Sequence, residues 1–89
     1  MIKSTVTISN RLGLHARASA KLTKMAGGFK SELHLSRSDR RVNAKSIMGV
    51  MMLAAGMGSQ VEIEADGPDE SEAMAALRTL IDGRFGEAD

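Results

Sequence analysis

IKSTVTISNRLGLHARASAKLTKMAGGF, Ile2 to Phe29, changes its apolar period halfway along. Ile2, Val6 and Ile8 fall on one side of an extended chain and Lys3, Thr5 and Thr7 on the other, the pattern of a strand buried on one face. From Ala16 the spacing becomes helical: Ala18, Leu22, Met25 and Phe29 share one face, and Gly27-Gly28 ends the helix. Asn10 to Gly13 forms the loop between them. The stretch therefore reads strand, loop, helix, and it places His15, one of only two histidines, where the helix begins.

The same reading extends along the chain. Leu33 and Leu35 alternate with Glu32, His34 and Ser36, and the polar turn Arg37-Ser38-Asp39-Arg40 leads to a return strand around Arg41 to Asn43. Ser46 has the chemistry of an N-cap for a short helix that turns Val50, Leu53 and Ala54 inward and stops at Gly56 and Gly58. Val61, Ile63 and Ala65 alternate with Gln60, Glu62 and Glu64 as a fourth strand. After Gly67-Pro68 a last helix buries Ala73, Leu77, Leu80 and Ile81, with Asp69, Glu70 and Glu72 at its positive end. Gly83 ends it, and GRFGEAD reads as a loose tail. The order is β-α-β-β-α-β-α, without repeats, linkers or low-complexity segments. Strands with one polar face, and helices to cover the other, imply an open-faced sandwich. Periodicity leaves the strand order open, with a ferredoxin-like order as the default.

Composition narrows the function. Eighty-nine residues suit a single domain spanning 1–89, one that buries ~60–70 % of its unfolded surface without staples. With no cysteine there is no disulfide or thiolate metal site, which fits the cytoplasm. The alternating N-terminus is neither a signal peptide nor a membrane span. Twelve basic and eleven acidic residues, two phenylalanines and no other aromatic leave no stacking platform for nucleic acid.

His15 is the chemical centre. It can be a simple helix cap. However, Gly13 lets the backbone approach closely, the helix N-terminus at Ala16 offers unpaired N–H groups to an anion, and Arg17 adds a cation whose donors suit phosphate oxygens. A nucleophilic imidazole beside an anion cradle is a phosphoryl acceptor. No acidic residue lies between Ser9 and Ala26 to act as a base, and phosphorylating an imidazole needs none, so the site reads as a carrier with no turnover of its own. A metal site would need His15 and His34 to meet, yet one stands at a helix start and the other in mid-strand. No metal or cofactor is expected.

Asn43 to Gly56, NAKSIMGVMMLAAG, forms a second cluster. Ser46 can be a plain N-cap, worth roughly 1 kcal/mol, and a phosphate there would also suit the helix end. With Val50 and Leu53 inward, Ile47, Met48 and Met51 face outward, and adaptable thioethers suit a surface for several partners.

Gly13-Leu14-His15-Ala16-Arg17 resembles the active-site signature of the HPr family, histidine-containing phosphocarriers of the bacterial phosphoenolpyruvate-dependent phosphotransferase system. Asn43-Ala44-Lys45-Ser46-Ile47-Met48-Gly49 resembles the family's regulatory serine region, and the similarity spans essentially the whole chain. The resemblance implies an α+β open-faced β-sandwich, a four-stranded antiparallel sheet in the order 1-4-2-3 with three helices on one face. It implies that His15 accepts phosphate on Nδ1 from phosphorylated Enzyme I and passes it to Enzyme IIA domains for sugar uptake. Arg17 and the Ala16 backbone N–H would assist the phosphoryl group, and Lys45, Ile47, Met48 and Met51 would dock the partners. Ser46 would be the target of an HPr kinase/phosphorylase that weakens transfer to His15. The protein would be a cytoplasmic monomer. Ala18 replaces the proline common in the family, and alanine is a good helix former there. Two alternatives remain: a nitrogen-type regulatory phosphorelay component with the same chemistry, and a small-molecule-sensing α+β module in which His15 is only a cap.

Overall fold

The computed structural model describes residues 1–87. In chain order the elements are β1 (Ile2–Thr7), α1 (Ala16–Gly27), β2 (Glu32–Arg37), β3 (Arg40–Asn43), α2 (Ile47–Met52), β4 (Gln60–Asp66) and α3 (Glu70–Asp82), followed by a 3-10 turn at Arg84–Gly86. The strands form one antiparallel sheet in the order β1-β4-β2-β3. This is the order implied by the resemblance, and the ferredoxin-like order that periodicity alone suggested is not formed.

Alternation decides which face of each strand is buried. Val6, Leu33, Leu35, Val61, Ile63 and Ala65 point into the core, where Ala18, Leu22 and Ala26 of α1, Val50 of α2, and Ala73, Leu77 and Ile81 of α3 meet them. The opposite face carries a charged rung, in which Lys3 pairs with Glu64 and Glu64 with His34. Glu64 accepts a hydrogen bond from Arg41 Nε at 2.8 Å, and that bond is the main reason its carboxyl lies below the usual range.

Three expectations are corrected. First, α2 stops at Met52 instead of reaching Gly56. Arg37 Nη1 and Arg40 Nη1 donate to the carbonyls of Leu53 and Met52, both at 3.2 Å, and so take up the acceptors at its C-terminus. Ala54 then adopts φ 51 and is exposed, and Ala55 is buried in its place. Second, Leu80 is only partly buried and Met74 joins the core of α3. Third, residues 83–87 are not a loose tail. Phe85 is 1 % exposed, a burial worth roughly 1.5–3 kcal/mol, and Lys21 Nζ of α1 donates to its carbonyl at 2.6 Å. The last two residues of that stretch, 88–89, lie outside the described residues.

Candidate functional site

His15 is the N-cap residue of α1, with extended backbone angles (φ −76, ψ −179) and no side-chain cap bond. A cap role is therefore not what its ring performs. The first helical hydrogen bond runs from Ser19 N to His15 O at 2.8 Å, and the buried Ser19 hydroxyl donates to Leu14 O at 3.1 Å. No acidic residue occupies the first turn, so α1 itself does not offset its positive end or occupy the N–H groups of Ala16 and Arg17. Gly13 makes this entry possible. At φ 66 it brings the loop against the segment after α2, where Leu14 N donates to Ala55 O at 2.9 Å.

The imidazole is held from the far end of the chain. His15 Nε2 lies 2.7 Å from Glu87 Oε2. That contact is the largest cause of the lowered Glu87 carboxyl pKa, and Asn10 is the second. An ionised carboxylate can only accept, so Nε2 carries the proton and donates it. In the neutral ring this leaves the lone pair on Nδ1. Asn10, fully buried, donates through Nδ2 to Glu87 Oε1 at 3.1 Å and to Gly13 O at 2.8 Å. Arg11, His15, Arg17, Lys21, Gly86 and Glu87 line an open cleft of about 660 Å³. Among the described residues its charged lining is Arg11, Arg17, Lys21 and Glu87, and the Arg17 guanidinium beside the open N-terminus of α1 suits an anion.

His15, Ala16 and Arg17, the residues singled out from the sequence, all line this cleft, with Arg17 exposed. Sequence reasoning missed Glu87 and Asn10. No local signal could have found Glu87, which lies 72 positions from His15. The metal reading has no ligand set, because among the described residues no three of His, Cys, Asp and Glu gather to hold an ion.

The second cluster sits on α2. Ser46 is its N-cap, and its Oγ accepts from Gly49 N at 3.2 Å. Ile47, Met48 and Met51 are exposed by 40 %, 66 % and 39 %, joined by Met52. Lys45 Nζ donates to Phe29 O just beyond α1 at 2.8 Å. Helices α1 and α2 pack against each other, so the histidine loop and the apolar patch are carried by one helical layer.

The open-faced α+β sandwich thus presents a partly exposed histidine at a helix N-terminus, in a cleft that Arg11, Arg17 and Lys21 also line. A family model described as "PTS HPr component phosphorylation site" matches residues 2–82. The chain is 64 % identical to the phosphocarrier protein HPr of Cupriavidus necator over 89 residues, covering 100 % of both. It is 57 % identical over the same length to that of Neisseria meningitidis serogroup A, again covering 100 % of both. The solved structure of HPr from Thermoanaerobacter tengcongensis superimposes with a TM-score of 0.96 at 43 % identity over 100 % of both chains. The chain belongs to the HPr family, the phosphocarriers of the phosphotransferase system. By family it is a phosphocarrier and not a catalytic enzyme. No helix among the described residues is long and apolar enough to cross a membrane.

Proposed function

We propose that this chain carries its phosphoryl group on Nδ1 of His15, receiving it from phosphorylated Enzyme I and passing it to Enzyme IIA domains that serve sugar uptake. The observation that carries this reading is the bond from His15 Nε2 to Glu87, which leaves Nδ1 as the nucleophilic nitrogen. The Nδ1 lone pair forms the new bond to phosphorus as the bond between phosphorus and the donor breaks, its electron pair staying with the donor. The ring keeps its Nε2 proton and becomes cationic beside Glu87, so no base is needed. The N–H groups of Ala16 and Arg17 and the Arg17 guanidinium receive the phosphoryl oxygens.

Ile47, Met48 and Met51, with Lys45 at the rim, form the face on which both partners dock. Ser46 is the regulatory site of an HPr kinase/phosphorylase. A phosphate on its hydroxyl suits the N-terminus of α2 and sets a new negative charge beside that face, weakening transfer to His15. The protein works as a cytoplasmic monomer.

The test is incubation with Enzyme I, magnesium and phosphoenolpyruvate, with intact mass read before and after mild acid. One acid-labile phosphoryl group is expected, absent from His15→Ala and retained by Ser46→Ala. No gain with a cognate Enzyme I that charges another carrier would refute the reading.

A further inference from the structure

Asn10 is 0 % exposed, and its buried Oδ1 has no hydrogen-bond partner among the described residues. A buried amide with an orphaned oxygen is costly, and an apolar residue would remove that cost. What Asn10 provides in return lies in its other half. Its Nδ2 donates to Gly13 O at 2.8 Å and to Glu87 Oε1 at 3.1 Å, while Glu87 Oε2 takes the His15 ring at 2.7 Å. Gly13 O also accepts from His15 N at 2.9 Å. One amide group thus ties the backbone in front of the histidine to the carboxylate behind its ring.

The geometry points to Asn10 as a positioning residue for phosphoryl transfer: by fixing Glu87 on Nε2, it keeps the proton on that nitrogen both before the phosphoryl group arrives and while it is carried. This rests on His15 being the acceptor. Before arrival, a proton on Nε2 leaves Nδ1 with its lone pair. After arrival, the bond from Nδ1 to phosphorus makes the protonated ring cationic, and Glu87 balances that charge. When the phosphoryl group passes on, the bond from phosphorus to Nδ1 breaks and its electron pair returns to Nδ1, so a neutral imidazole departs. Had the Nε2 proton been lost, an imidazolate would have to depart, a far poorer leaving group. Asn10 therefore sets how readily the cargo is released. Among the described residues, the charged groups around the ring are Arg11, Arg17, Lys21 and Glu87, and of these Glu87 is the one that favours a cationic ring.

Two readouts separate this proposal from the one beneath it. Nitrogen-15 spectra of the His15 ring report the tautomer without any Enzyme I. The decay of isolated phosphoprotein between about pH 5 and 8, the range in which imidazoles titrate, reports the protonated phosphohistidine. The wild type is expected to hold the Nε2–H tautomer, and Asn10→Ala and Glu87→Gln to mix both tautomers. In each variant the phosphohistidine should persist longer at neutral pH, by about tenfold for loss of a charge-assisted hydrogen bond, with its decay profile moved to lower pH. Combining the two changes should add nothing beyond Glu87→Gln alone, because Asn10 acts through Glu87. Should Asn10→Ala fail to fold, Asn10→Ser takes its place, its hydroxyl too short to reach Glu87. An unchanged tautomer and decay profile in Glu87→Gln, at a half-buried position outside the core, would overturn the proposal by itself, as would additive effects. A wild type that shows the expected tautomer yet accepts no phosphoryl group would instead sink the carrier reading.

Discussion

A methyl group on Gly13 would stand 2.5 Å from the Ala55 carbonyl oxygen and 2.7 Å from Gly56 Cα. Both are backbone atoms and neither can swing aside. The left-handed angle alone costs an alanine roughly 1–2 kcal/mol, and the clash adds to it. Gly13→Ala is therefore expected to lower the urea midpoint of unfolding by more than that strain. It should also slow phosphoryl acceptance in the fraction that remains folded, because His15 N hangs from Gly13 O. Normal stability in Gly13→Ala would show that the close approach is not needed. At this scale the sequence was partly legible. A glycine two positions before a histidine signals a tight approach, and its φ of 66 agrees. Asn10 gave no such signal, because its value depends on a carboxylate that only the folded chain brings near.

Asp69 shows how elements are fastened to one another. It stands at the N-cap of α3 but makes no cap bond to that helix. Its carboxylate instead accepts from the N–H groups of Lys30 and Ser31 and from the Ser31 hydroxyl, tying α3 to the start of β2. Those bonds, the Ser31 hydroxyl first, pull its carboxyl down to about 2 from an ordinary 3.8. A carboxyl lowered in the folded state stabilises fully above its unfolded value, and that contribution is lost as pH falls through the folded one. Thermal melts of the wild type should therefore lose part of their midpoint between pH 3.8 and about 2. Asp69→Asn should be less stable at neutral pH and flatter across that window, and equal acid slopes would contradict the assignment. Elements were the most legible level in the sequence. Two-residue alternation located β1, β2 and β4, the polar turn before it located β3, and helical spacing located α1 and α3. The reading ran α2 on to Gly56 because nothing in the sequence shows Arg37 and Arg40 reaching its last carbonyls. It missed the turn at Arg84–Gly86 because a single phenylalanine after Gly83 has no period. Strand order came from the resemblance, since alternation assigns faces and not neighbours.

The whole molecule is two layers with a radius of gyration of 11.4 Å. Its other sheet face is crossed by Lys3, Glu64, His34 and Arg41, with Glu64 paired to both Lys3 and Arg41. His15 and Glu87 meet across 72 positions, with β2, β3, β4 and the helices α1, α2 and α3 between them. The entropy of closing so long a loop is repaid only when the intervening contacts form together. Competence to be charged is then a property of the native state, unavailable to a chain that holds α1 as an isolated helix. In a series of core variants such as Leu22→Ala, each costing ~2–5 kcal/mol, the rate of phosphoryl acceptance should fall in proportion to the folded fraction measured by circular dichroism. A mostly unfolded variant that accepts at full rate would mean the local motif suffices. Where the proportionality holds, the relay screens its own carriers: misfolded copies draw no phosphoryl groups from the donor pool, and no separate quality check is required.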